Sequence, residues 1–466
     1  MGIRSAIAVL VVLGLALQPG SGSSAATPQA LVVSVGQGGD YAGLEAALAS
    51  VADGTVLELL PGVHRGRWVI DRPLTLRGSA GTILDGGGEG TLLTITASHV
   101  TIEDLTIQAT GRSLLNDDAA ILVEGDDARI INNHLLDIHH AIFVSGGAAR
   151  ALIRGNSIQG RAELIREDRG NGIHLWDAPD TVVEDNVVLD VRDGIYVGFA
   201  PGSLFRNNSF KRVRYGIHFM YADNNTFEDN IFEWSEAGAA LMYSKNIVLR
   251  RNIFAHSRSS RAYGLLLQEC SDVWAENNVI VDNSRGLFIN VSSNGIFKNN
   301  IFMGNDLALQ IYSAAENNAI VGNDFIGNLQ LIELDQAGSN WWDGNYWDGY
   351  KGADFDGDGI GDSPFRTRDP LGTLILDHPQ LRLFRYGPGV EALELAEQSF
   401  PVMDIPEIVD LNPSMAPIAG RTAYIPELPA DRPQSRWGLA IFGGMSLLLA
   451  LAIARAGRPH RKGSRR

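Results

Sequence analysis

Cysteine is almost absent. Cys270 is the single one in 466 residues, so no disulfide can form within the chain. Its setting, LLLQECSDV, reads as that of a buried small apolar residue rather than a nucleophile. Basic residues are scarce beside acidic ones, 38 Lys and Arg against 54 Asp and Glu. The resulting net charge of −16 excludes a general nucleic-acid binder, whose surface is basic. No GxxxxGKS or GxxxxGKT occurs, so the chain brings no phosphate-cradling loop with which to hydrolyse ATP. Long apolar runs are missing from the body of the chain and confined to its two ends.

What is present is a beat. The pairs Asp185-Asn186, Asn207-Asn208, Asp229-Asn230, Arg251-Asn252, Asn277-Asn278 and Asn299-Asn300 each precede an apolar run, and their second members step by 22, 22, 22, 26 and 22 residues. Gly172, Gly194, Gly216, Gly238, Gly264 and Gly286 open strand-like runs on the same beat, as in GIHLW, GIYVG and GIHFM. A leucine-rich repeat would keep an LxxLxLxxN frame, and this one does not. Two or three short alternating runs per period instead give one coil of a parallel β-helix, an all-β fold with about 4.8 Å between coils. Asn tolerates the left-handed turn and can stack amide on amide, while Gly suits tight backbone at the strand start. The 26-residue step carries SRSSRAY, which should loop out between Ser257 and Tyr263, and the charged QGRAELIREDRG after Ile158 should do the same.

The chain divides into six parts. Residues 1–26 read as a secretory signal: Arg4, the apolar stretch Ala6–Leu17, then small residues before a cleavage point near Ala25. Residues 31–340 form the β-helix, opened by a short amphipathic helix within Asp40–Ala52 that covers the first coil. Residues 341–377 form an aromatic, acidic, Gly-rich cap. Residues 378–436 read as an extended Pro-rich arm. Residues 437–454, WGLAIFGGMSLLLALAIA, are 18 residues without a charge, near the minimum for a transmembrane helix. The basic residues 455–466 behind them would stay cytoplasmic, leaving an extracytoplasmic body on a C-terminal membrane anchor.

Several groups are candidates for chemistry. Asp354, Asp356, Asp358, Ile360 and Asp362 fall at positions 1, 3, 5, 7 and 9 of a calcium loop with Gly359 at the sharp turn, although Phe365 stands where the closing Glu belongs. The nearby Trp341, Trp342, Tyr346, Trp347 and Tyr350 suit the capping of a last coil or a sugar platform. Asp137, His139 and His140 sit together beside the strand AIFVS, with Asp117 and Asp118 about one coil earlier. His174, Tyr196 and His218 share a phase in successive coils, which places the two histidines about 10 Å apart, too far to share one metal. Met220 and Met242 end successive strand runs, bringing two thioethers side by side, and thioethers select soft Cu(I).

Taken together, the opening DGTVLELLPGVHRGRWVIDRPLTLRGSAGTILDGGG, RVRYGIHFMYADNNTFEDN, GAALMYS, GNYWDGYKGADFDGDGIGDSPF and PVMDIPEIVDLNPSMAPI resemble the NosD family from Leu31 to about Pro417. Arg212–Asn230 and Gly344–Phe365 are the most specific parts. The resemblance implies a right-handed, pectate-lyase-like β-helix that is not itself an enzyme. It implies a periplasmic assembly factor for the copper centre of nitrous oxide reductase, working with an ABC transporter (the NosF ATPase and NosY membrane subunits), the copper chaperone NosL and the reductase itself. No cofactor is required on this reading; Cu+ would be in transit and Ca2+ structural. His218, Met220, Met242, Met403 and Met415 are then the partner or copper contacts. Two other functions fit the same fold. A uronan lyase or C5-epimerase would use Asp137, His139, His140, His174 and His218, with Lys211, Arg212 and Arg214 to bind an acidic polymer. A passive carbohydrate-binding or scaffold solenoid would use none of them.

Overall fold

The computed structural model describes residues 30–418 apart from 114, 313, 314, 336, 337, 369, 372, 373, 375–377, 385, 386, 388 and 400–406. Three parallel sheets of 14, 13 and 12 strands run along a right-handed solenoid of about 14 turns. One turn visits the three in order, as in Val182–Glu184, Val187–Leu189 and Asp193–Gly198, and each strand pairs with its counterpart in the next turn. We refer to them as the first, second and third sheets.

Alternation decides which side chains enter the stack. Val183, Val188, Ile195 and Val197 are fully buried, and the positions facing Val183, Val188 and Val197 in the next turn hold Phe205, Phe210 and Phe219. Because the coils are in register, like sits on like: Phe210, Phe232 and Phe254 stack at 5.2 and 5.0 Å, and Phe302, Phe325, Trp347 and Phe365 at 4.9, 4.4 and 4.4 Å.

The corner between the first and second sheets explains the recurrent pairs. The first member of each takes a left-handed backbone, with φ between 53° and 60° at Asp185, Asn207, Asp229, Arg251, Asn277 and Asn299. The second member is buried in an amide ladder that runs through Asn133, Asn156, Asn186, Asn208, Asn230, Asn252, Asn278, Asn300, Asn323 and Asn345. At Asn230, Nδ2 donates to the Phe205 carbonyl and to Asn252 Oδ1, while its own Oδ1 accepts from the backbone and side chain of Asn208. Glycine at the strand start has a different reason from the one its conformational freedom suggests. A Cβ on Gly216 would lie 2.3 Å from Phe232 Cδ1 and 2.4 Å from the Gly238 carbonyl oxygen, so the core leaves no volume for it.

Both ends are closed. The helix Leu44–Ser50 turns Leu44 and Ala47 inward over the first coil. At the far end the strand Glu407–Asp410 pairs antiparallel with Phe365–Arg368, and Ser414 bridges to Tyr346 and Ile360. The region read from sequence as an extended arm therefore needs correction. It carries a turn of 3₁₀ helix at Pro379–Phe384 and an α-helix at Gly389–Ser399, then returns to the stack. GVEALELAEQS is rich in strong helix formers, a signal masked by the prolines on either side. Among the described residues no helix is long and apolar enough to cross a membrane. The signal 1–26, the apolar run 437–454 and the tail 455–466 lie outside them.

Candidate functional site

The site is built on the outer face of the third sheet. One outward row, in register turn by turn, runs Phe143, His174, Tyr196, His218, Ala240, Leu266 and Phe288. Two residues along each strand, a second row runs Trp176, Gly198, Met220, Met242 and Gln268. His174, Tyr196 and His218 therefore stand as consecutive rungs, with ring centroids 4.7 and 5.0 Å apart. Met220 and Met242 are direct register partners, both half-buried. Gly198 makes room beside them for Trp176, whose ring lies 2.9 Å from where a Cβ would sit.

Beneath this face lies an ion cluster that sequence reading did not find. Asp193, fully buried, accepts two hydrogen bonds from Arg214 at 2.8 and 2.5 Å and faces His218 Nδ1 at 3.1 Å. Burial pushes its carboxyl up, but the hydrogen bonds from His218 and Arg214 outweigh burial and hold it below the ordinary value. An imidazole that donates from Nδ1 to this carboxylate presents Nε2 on its other side. A carboxylate behind a histidine is the arrangement that orients a metal-ligating imidazole. The one signal in the sequence was Asp193 immediately before Gly194, and its partner is 21 residues away.

An exposed aromatic stack borders the site. Phe199, Tyr221 and Tyr243 take left-handed backbone at the turn leaving the third sheet and stack at 5.5 and 4.9 Å, with Trp176 edge-on to Phe199. Their faces cover one another and present edges outward, a poor platform for a sugar ring.

Asp137, His139 and His140 are adjacent in sequence, but they do not converge on a shared reacting position. Asp137 is held by Arg161 Nε at 2.5 Å, and His139 and His140 are each only 2% exposed. His140 instead accepts from the Asn171 amide through Nδ1 and lies 3.6 Å from Asp117 through Nε2. Burial, then the neighbouring His140, lowers His139 to about 4 and His174 to about 3, so both are neutral at pH 7. The basic cluster is also spent: Lys211 pairs with Glu233, Arg212 with Asp190 and Arg214 with Asp193.

At the far end, the carboxylates of Asp354, Asp356 and Asp362 come within 4.8 Å of one another. Asp358 stands outside that trio and accepts from the Ile360 amide, while Ile360 itself bridges to Ser414. Met415, 36% exposed, donates its N–H to the Gly359 carbonyl, well away from Met220. Met403 lies outside the described residues. Cys270 is buried against the Leu241 carbonyl, and burial raises its thiol to about 11.

Residues 154–352 match the family model described as periplasmic copper-binding protein (NosD), and residues 90–212 match right handed beta helix region. A relative from Pseudomonas aeruginosa, named probable ABC transporter binding protein NosD, is 41% identical over 401 residues, covering 80% of this chain and 93% of its own. The chain belongs to the NosD family. A second NosD of the same name, from Stutzerimonas stutzeri, is 38% identical over 375 residues, covering 76% of this chain and 85% of its own. Among solved structures, a family 28 exopolygalacturonase from Yersinia enterocolitica superposes with a TM-score of 0.51 at 10% identity, covering 69% of this chain and 79% of that one. That likeness is one of fold alone. The NosD relatives are named as binding proteins, not as enzymes.

Proposed function

We propose that this chain is the periplasmic, non-catalytic partner of an ABC transporter in the maturation of the copper centre of nitrous oxide reductase. It works with the NosF ATPase, the NosY membrane subunits, the chaperone NosL and the reductase. The observation that carries the copper reading is the face formed by His218, Met220 and Met242. Two thioethers lie side by side on adjacent coils, next to an imidazole whose Nδ1 is tied to Asp193. Thioethers with one imidazole suit Cu+ held in transit. Soft, half-exposed ligands bind tightly enough to receive the ion and leave room for a receiving protein to take it. The non-catalytic reading is supported by Asp137 being tied to Arg161 and by the burial of His139 and His140.

The test is Cu+ affinity measured by competition with a chromophoric chelator. Met220→Leu with Met242→Leu is expected to weaken binding at least tenfold, and Asp193→Asn to weaken it less. Equal affinity in all three proteins overturns the copper role of this face. On the same reading, residues 437–454 hold the solenoid at the inner membrane; deleting Trp437–Arg466 should release it to the soluble periplasm. Asp354, Asp356 and Asp362 would hold a structural Ca2+. Millimolar Ca2+ should then raise the melting temperature of the parent protein and leave Asp356→Asn unmoved.

A further inference from the structure

The third sheet begins at the strand Trp68–Ile70, the terminal strand of its ladder, with no strand on its outer edge among the described residues. Trp68 N–H donates to the Leu92 carbonyl and the Ile70 carbonyl accepts from Thr96, so both turn toward the next coil. In a parallel ladder the intervening residue turns its peptide groups the other way. That residue is Val69, 58% exposed. The capping helix packs beside this edge, and between them lies a groove of about 440 Å³, lined by Glu45 and Leu48 on one side and by Arg65–Val69, Asp71 and Arg72 on the other.

Three guanidinium groups share the groove, in a chain of net charge −16. Arg72 is committed, to the Val51 carbonyl and to Asp71. Arg65 and Arg67 are exposed, and among the described residues neither makes a side-chain hydrogen bond or an ion pair. This sets them apart from Arg150, Arg206, Arg212, Arg214, Arg251 and Arg258, which are each bound to a carboxylate. Asp71 is held by Arg72, Asp85 is the register partner of Arg65 on the next coil, and Glu45 is the acidic group on the helix side of the groove.

Two features therefore coincide: a peptide edge with nothing paired to it among the described residues, and two exposed guanidinium groups that make no ion pair there. A free phosphate answers only the charges, and a neutral strand answers only the edge. An extended acidic peptide answers both, through main-chain hydrogen bonds to Val69 and carboxylates on the arginines. We propose that this groove docks an extended acidic segment of a protein partner as an added edge strand. It lies six strands from the Met220 strand, about 29 Å at 4.8 Å per coil, so partner and cargo are held at separate places on one rod.

The experiment is fluorescence anisotropy on the full chain with a labelled Val-Asp-Val-Asp-Val-Asp peptide, its lysine counterpart and a twin N-methylated at alternate residues. The acidic peptide is expected to bind, more weakly as salt rises, and the lysine peptide not to bind. Arg65→Glu with Arg67→Glu should lose at least tenfold in affinity with an unchanged melting temperature, since both side chains are exposed. The N-methylated twin should lose at least fivefold. Unchanged binding in the double variant overturns the proposal. So does equal binding of the N-methylated twin together with full competition by inorganic phosphate, which would make the groove an anion site only. Met220→Leu should leave peptide binding untouched; a loss there would place the peptide on the other face and overturn the assignment.

Discussion

Asp410 stands where an eleventh asparagine of the amide ladder would, and one oxygen of its carboxylate accepts both nitrogens of Asn345, each at 3.0 Å. The same oxygen takes Trp347 Nε1 at 3.1 Å, while the other accepts from the Gly344 and Asn412 amides, both at 3.2 Å. The ladder is one-way: each asparagine gives two hydrogen bonds, one from its backbone N–H and one from its side chain, to the side-chain oxygen of the next coil. Its last rung must therefore be met by a group that only accepts, and a carboxylate is that group.

Replacing Asp410 by Asn should cost about 2–3 kcal/mol, because an amide nitrogen must then face two or three donors in a buried site. The loss is read from urea denaturation. Hydrogen exchange should speed up first at Asn345 and Trp347 and leave the middle coils protected.

Within the ladder the preference reverses. Asn230→Asp removes the donors that serve Asn252 Oδ1 and the Phe205 carbonyl, and sets a carboxylate against two acceptors. It should be more damaging than Asn230→Leu, which itself should cost about 2–4 kcal/mol through the partners left unpaired. Denaturation midpoints of the two variants side by side check the order.

Gly216→Ala should cost about 3 kcal/mol, because Phe232 and the Gly238 backbone both have to move. Gly357→Ala, in the acidic loop, where nothing lies within 4 Å of a new Cβ, should cost only the strain of its φ of 76°. Thermal melts of the pair separate crowding from conformational preference.

Acid should weaken the fold in a defined window. His174 and His139, lowered to about 3 and about 4, stay neutral in the native protein, whereas unfolded histidine titrates near 6.5. Below about pH 6.5 the unfolded chain takes up protons that the native chain refuses, so stability declines toward pH 4 by about 1 kcal/mol per pH unit per histidine. Above that value the two contribute no slope. His174→Phe should flatten part of the decline in melting temperature between pH 6.5 and 4.

How far the sequence carried follows from where the partners sit. The coil was legible because Asn and Gly recur at a fixed interval, and the ladder His174–Tyr196–His218 because register in a parallel stack converts a shared phase into contact. Asp193 with Arg214 was not, since a single Asp before a strand resembles any other until the coil folds it under the face. Asp410 was further out of reach, 65 residues from the Asn345 it serves and in a stretch whose prolines suggested an extended arm. The amphipathic helix covering the first coil emerged where its spacing indicated, shortened to Leu44–Ser50.

The unbroken register of the first sheet has a mechanical consequence. Its 14 strands make 13 spacings, a shaft of about 62 Å at 4.8 Å each. From Asn133 to Asn345 each coil is locked to the next by buried amides, so that length of the shaft transmits rotation instead of absorbing it. A tilt of about 10° imposed at one end sweeps the other through about 11 Å, enough to carry a docked protein from contact to separation.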